Sequence, residues 1–310
     1  MALIGSSDLD VFPLSLGGNV FGWTADEETS FAVLDAYTAA GGNFVDTADA
    51  YSAWVPGHSG GESERLIGAW LAGRGRRDDV IVATKVGSHP DFKGLKAETI
   101  KAAAEESLRR LGTDHIDLYY THFDDVETPV EEIVGAMDAL VREGKVRYIA
   151  ASNISPERLT ASLEFSDREG LAKYVALQQH YNLVEREYEG ALREVVRAHG
   201  LASVPYFGLA RGFLTGKYRP GVAVDSPRAG AAGAYLESAR GPRVLAALDE
   251  VAAAHGAEPA SVALAWVRSR PTVVAPIASA RTPEQLPALL ASAELELTAE
   301  ELELLTEASA

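Results

Sequence analysis

The sequence predicts a closed parallel (β/α)8 barrel, and three observations carry that prediction. Eight short β-branched runs alternate with segments of helical periodicity along 310 residues, no Pro/Gly/Ser-rich linker divides them, and no GxGxxG turn follows the first run. An open dinucleotide-binding sheet is expected to carry that turn, whereas a barrel of this length forms as one unit. Residues 1 to 310 are therefore read as a single domain.

The runs, in order, are LSLGGNVF (14 to 21), NFVDTA (43 to 48), DVIVATK (79 to 85), IDLYYTH (116 to 122), VRYIAASN (146 to 153), YVALQQ (174 to 179), LASVPYF (201 to 207) and TVVAPIA (272 to 278). Residues 1 to 13 precede the alternation and are assigned to a short hairpin or plug over the barrel bottom. Of the helical segments, the clearest has Val130, Ile133, Val134, Met137, Leu140 and Val141 on one stripe. Thr128, Pro129 and Glu131 read as a capping box with proline at the first helical position, and Thr282, Pro283 and Gln285 repeat that signature after the last run. One long interruption, PGVAVDSPRAGAAGA (220 to 234), follows the seventh run and reads as a mobile loop.

Composition excludes several functions. With 28 Lys and Arg against 45 Asp and Glu, the formal charge is −17, a surface that repels nucleic acid and anionic membrane. There is no cysteine, so disulfides, a thiolate nucleophile and a thiolate metal site are all ruled out. The segment MALIGSSDLD lacks a basic flank followed by a long apolar run, and no stretch of about 18 apolar residues occurs. A cytoplasmic protein is expected, with neither nucleic acid nor membrane as partner. The seven histidines include no HxxxH or HExxH pair, so no metal is expected and a metallohydrolase has little support.

Function in such a barrel collects at the C-terminal ends of the strands. Those ends carry Asp46, Lys85, His122, Ser152 with Asn153, Gln178 and Tyr206, and the stretch FVDTADAY (44 to 51) adds Tyr51. Singly, most have an ordinary structural reading: an aspartate turn, a core histidine, a packed tyrosine, a Ser-Asn helix cap. Lys85 is harder to place structurally, because lysine is rare inside a run such as VIVATKVG without a partner. Their joint occurrence at successive strand ends marks a site.

The pattern DTAxxY, then lysine in ATKVG, then histidine closing YYTH, resembles the catalytic tetrad of the aldo-keto reductases. Carried over, Asp46, Tyr51, Lys85 and His122 take the four places. The resemblance extends through Ser152 and Asn153, through QxxYN (Gln178, Tyr181, Asn182), LARGFLTGKY (209 to 218) and ARTPEQL (280 to 286). It spans nearly the whole chain and looks closer to the bacterial and potassium-channel-β-subunit-like branch than to the mammalian aldose reductases.

The chemistry of the residues agrees. Reducing a carbonyl needs a hydride donor and an acid for the developing alkoxide, and a phenol serves if its pKa, normally about 10, is lowered. Lys85 is expected to lower it, Asp46 to keep Lys85 charged and oriented, and His122 to donate to the carbonyl oxygen.

The resemblance further implies NADP(H). Ser152, Asn153 and Gln178 would bind the nicotinamide carboxamide, Tyr206 would stack on its ring, and the segment from Phe207 through Gly208, Leu209, Ala210 and Arg211 to Lys217 would wrap the diphosphate. Ser279, Arg281 and Gln285 stand at the adenosine end; an arginine at a helix start suits a 2′-phosphate and favours NADPH over NADH.

Three departures from the family pattern stand out: Phe207 and Gly208 replace a common Ser-Pro, Ser279 replaces a glycine, and Ala288 and Leu289 replace a Glu-Asn pair that grips adenine, so looser cofactor binding is expected. Trp23, Trp54 and Phe123 are candidates for the wall of a pocket taking a small carbonyl compound: an aldehyde, a ketone or a keto-sugar. The alternative is a regulatory NADP(H) sensor or subunit with incidental turnover.

Overall fold

The computed structural model describes residues 1 to 226 and 228 to 310. Eight parallel strands form one curled sheet: Ser15–Gly17, Phe44–Asp46, Ile81–Val86, Ile116–Thr121, Val146–Ser152, Tyr174–Gln178, Ala202–Ser203 and Ile277–Ala278. Each pairs with its neighbour in chain order from the first to the seventh, and the eighth pairs with the first. Between the seventh and eighth, Ser203 N donates to Thr272 O at 2.8 Å and Ile277 N to Pro205 O at 2.8 Å. The arrangement is consistent with a (β/α)8 barrel.

Every residue of Ile81–Val86 and of Ile116–Thr121 is buried, which is why these strands read as continuous apolar runs. Successive side chains point to opposite faces. Ala83, Leu118, Tyr120, Ala150 and Ala176 join one cluster, while Val82, Tyr119, Ile149 and Leu177 join another with helix residues such as Ile67, Ile100, Ile133 and Met137. Ala2–Leu3 pairs antiparallel with Asp10–Val11, and Ile4, Leu9 and Val11 pack into the first cluster.

Several strands are shorter than their apolar runs. LASVPYF keeps only Ala202–Ser203 and TVVAPIA only Ile277–Ala278; Pro205 and Pro276 have no N–H to give to a ladder. After Ser15–Gly17 the chain turns at once into a 3-10 turn, Gly18–Val20.

The helix Val130–Arg142 buries Ile133, Val134, Met137 and Leu140, as its stripe requires. Its expected capping box does not form. Pro129 holds the N-cap position, which puts Thr128 one residue too early, and the Thr128 hydroxyl donates instead to Asp125 Oδ2 at 2.8 Å. At Thr282 the side chain makes no cap either, and Gln285 Oε1 accepts from Arg281 N at 2.9 Å rather than from Thr282 N. A complete box forms instead at Thr298 and Glu301, before Ala299–Ala308.

The segment expected as a mobile loop carries a short helix, Ala229–Gly233, and a 3-10 turn, Ala234–Glu237. Tyr235 anchors its end, donating to Glu185 Oε1 at 2.9 Å and packing its ring 5.2 Å from Phe213. Residue 227 of that segment lies outside the described residues. No helix among the described residues is long and apolar enough to cross a membrane.

Candidate active site

The second strand ends at Asp46, and the turn that follows stays fastened to the third strand. Thr47 N donates to Ala83 O at 2.8 Å and Asp49 N to Lys85 O at 3.3 Å, which returns Tyr51 over the end of that strand. Lys85 has no exposed surface. Its ammonium donates to Asp46 Oδ2 at 2.7 Å, Thr47 O at 2.6 Å and Tyr51 OH at 3.0 Å, so all three protons are used. The other carboxylate oxygen of Asp46 accepts from Gln178 Nε2 at 2.8 Å. The His122 ring lies 6.0 Å from that of Tyr51 and stacks on Phe123 at 4.9 Å; its Nδ1 is buried without a partner among the described residues.

The electrostatics correct one expectation. The contact with Lys85 does not bring the phenol below its ordinary range, because burial outweighs it. Burial, and after it the Asp46 carboxylate, hold Tyr51 well above its ordinary range. Burial also pulls Lys85 down while Asp46 pulls it up, because taking an ammonium out of water disfavours its charge and a carboxylate partner restores it. At neutral pH the phenol therefore keeps its proton, as a proton donor must. Burial, with Lys85 nearby, holds His122 well below the ordinary histidine range, so its imidazole is neutral.

A cavity of about 1090 Å³ opens on Asp46, Tyr51 and His122. Asn153, Gln178, Tyr206, Phe207 and Leu209 line it, as do Arg211, Lys217, Ser279, Arg281 and Gln285. Four of the expected residues do not. Lys85 stands behind Tyr51, Ser152 is buried and accepts from Asn153 Nδ2 at 2.9 Å, and Gly208 and Ala210 also stand back from the wall. Asn153 has φ +48°, donates to His122 O at 2.8 Å and accepts from Tyr206 OH at 2.8 Å. This ties the fourth, fifth and seventh strand ends together. The ring of His180 stacks on that of Tyr206 at 5.4 Å with an 11° tilt.

The backbone around Phe207 and Gly208 is tightly curled. Phe207, Ala210, Arg211 and Gly212 all have positive φ, +56°, +46°, +58° and +96°, and Asn182 Nδ2 fixes the bend by donating to Phe207 O at 2.9 Å. Left-handed backbone of this kind turns amides into a concave anion-binding surface. Arg211, Lys217 and Arg281 gather on the same cavity, with Arg228, which the sequence reading passed over. The signal available for Arg228 was weak: one cation in a Gly/Ala-rich loop. In a chain of charge −17, four cations beside curled backbone fit a ligand carrying several phosphates.

At the outer end, Trp23 and Trp54 meet edge to face at 5.6 Å, Trp54 lies 6.1 Å from Tyr51, and the Arg228 guanidinium sits 5.6 Å from the Trp23 ring. Phe123 borders the same space. Ala288 and Leu289 touch the cavity, but Leu289 is only 4% exposed and belongs to the core.

The aldo/keto reductase family model matches residues 13–310, and this chain belongs to that family. It is 32% identical over 323 residues to Protein tas of Escherichia coli (strain K12), covering 95% of this chain and 93% of that one. It is 36% identical over 313 residues to the Uncharacterized oxidoreductase YrpG of Bacillus subtilis (strain 168), covering 98% and 94%. A third relative, Aryl-alcohol dehydrogenase GME11368 of Pestalotiopsis microspora, is 31% identical over 319 residues, covering 97% and 79%. Family membership and these names support a carbonyl-reducing oxidoreductase, and the family in general uses nicotinamide cofactors.

Proposed function

We propose that this chain, acting as one barrel from residue 1 to 310, reduces aldehydes or ketones to alcohols with NADPH. The observation that carries the reading is the chain Tyr51–Lys85–Asp46, closed at 3.0 and 2.7 Å, whose phenol faces the cavity beside His122.

The bound nicotinamide would supply the hydride. Tyr51 OH gives its proton to the carbonyl oxygen as charge develops there. Its raised pKa keeps the proton in place until the acceptor becomes more basic, and Lys85, already donating to that oxygen, stabilises the phenolate left behind. Asp46 holds Lys85 charged. His122, neutral, donates a ring N–H to the carbonyl oxygen and fixes its position.

Asn153 and Gln178 would hold the carboxamide, with Ser152 orienting Asn153, and Tyr206 would pack on the ring. Arg211, Lys217 and Arg228 compensate the diphosphate, and Arg281 with Gln285 takes the 2′-phosphate. The walls formed by Trp23, Trp54 and Phe123 favour flat, ring-bearing carbonyl substrates, and the name of the aryl-alcohol dehydrogenase relative points the same way. The protein is proposed to work in the cytoplasm, and its acidic surface disfavours nucleic acid and membrane as partners.

The test is oxidation of NADPH by 4-nitrobenzaldehyde. Turnover is expected, falling roughly hundred- to ten-thousandfold in Tyr51→Phe, with NADPH binding kept. Normal binding and an undiminished rate in that variant would favour the sensor role instead.

A further inference from the structure

The turn that delivers Tyr51 carries a second acid that the proposed chemistry leaves unused. Asp49 is fully buried, and neither of its carboxyl oxygens has a hydrogen-bond partner among the described residues. The groups around it are charged or titratable. Glu64, also fully buried, pairs with Arg110 at 2.6 Å and accepts from Thr84 Oγ1 at 2.5 Å. Lys85 pairs with Asp46 at 2.7 Å, and the Tyr119 hydroxyl is buried with no partner among the described residues. The His89 ring and the Asp49 carbonyl both lie beside Gly60, where a Cβ would meet them at 2.7 and 3.2 Å.

Counting charges singles Asp49 out. Asp46 is matched by Lys85 and Glu64 by Arg110, each pair sealed from water, which leaves Asp49 as the third buried acid of this cluster with no base of its own among the described residues. A carboxylate in that position keeps its proton rather than stand unpaired. We propose that Asp49 is a positioning residue, a neutral carboxylic acid at neutral pH whose ionisation in alkaline solution keeps Lys85 charged.

Burial raises the Asp49 carboxyl well above the ordinary carboxylate range and Glu64 raises it further, with Arg110 opposing. When the proton leaves for solvent, a negative charge appears beside Lys85, whose ammonium is favoured by Asp49 and Glu64 as well as by Asp46. The cation that supports Tyr51 therefore survives to higher pH than Asp46 alone would allow. This effect on catalysis rests on the proposed reaction; the protonation of Asp49 does not.

The test compares the whole protein with Asp49→Asn, which keeps shape and removes the acid, and with Asp49→Ser if the first variant fails to fold. Infrared spectra at pH 7 should show a protonated-carboxyl band in the unmodified protein that the variant lacks; absence of such a difference overturns the neutral acid. The sign for stability follows from a folded pKa above the unfolded one. The contribution is full below the unfolded pKa, near 3.8, and is lost as pH rises toward the folded value. Asn lacks that loss, so the variant's melting temperature should gain on the unmodified protein between about pH 4 and pH 7. A gap that stays constant or reverses counts against the proposal.

For the link to Lys85, the alkaline limb of kcat/KM should move to lower pH by about half a unit or more in the variant; an unmoved limb overturns that link. Infrared and melting need no turnover, so failure of the proposed reaction and failure of the Asp49 assignment are read separately.

Discussion

Gln178 Nε2 donates to Asp46 Oδ1 at 2.8 Å, while Lys85 holds the other oxygen of the same carboxylate. The residue that the family resemblance assigns to the cofactor thus also satisfies a fully buried anion. Gln178→Met keeps the length and removes the donor. It should cost roughly 1.5–3 kcal/mol of stability, the worth of a hydrogen bond to a charged group, read by denaturant unfolding at pH 7. A cost within about 0.5 kcal/mol, as for an ordinary surface change, would mean that Asp46 does not depend on this amide.

Lys85→Met is expected to act twice. It strands the Asp46 carboxylate, costing about 3–5 kcal/mol of stability, and it removes the charge that stabilises the Tyr51 phenolate. The rate should fall about as far as in Tyr51→Phe, and the two losses should not add, because Lys85 acts through Tyr51. Single-turnover rates for both variants and the double variant decide it; additive losses would separate the two roles.

Arg281 lines the cavity in a chain whose net charge is −17. NADPH should therefore bind more tightly than NADH, and Arg281→Ala should erase most of a gap of roughly 1.5–3 kcal/mol, about ten- to a hundredfold. Fluorescence titration reads it, and equal affinities in the unmodified protein would remove the assignment.

Leu289 makes a double restoration of the family's Glu-Asn pair unsuitable. Being 4% exposed and part of the core, it would bury an amide as Asn and cost about 1–3 kcal/mol. Ala288 is partly exposed at the cavity, so Ala288→Glu alone tests the adenine grip. Stopped-flow release of NADPH should slow in that variant with the melting temperature unchanged; an unchanged release rate would show that the pocket is not loosened there.

The eight strands were legible because burial on both faces writes a continuous apolar run, and the strand-end polar residues stood out against those runs. Asp46, Lys85 and His122 could be named from their order at the strand ends, and the family resemblance grouped them with Tyr51. Their contacts could not. Lys85 meets Asp46 across 39 positions and Gln178 meets Asp46 across 132, so closure of the sheet, which no local pattern encodes, decides which polar groups share a partner.

The same reason explains the corrections. The phenol's pKa depends on burial and on Asp46, which a list of nearby residue types does not weigh. The box at Thr128 failed by one residue of register against Pro129. Arg228 reached the cavity through a loop whose Gly/Ala-rich composition carried only a weak signal. Sequence determined the architecture and the chemical groups at its mouth. Tertiary structure decided which of them pair, which stand behind the wall and which, like Asp49, are left buried without a partner among the described residues, because burial and pairing belong to the curled sheet as a whole and not to any segment of it.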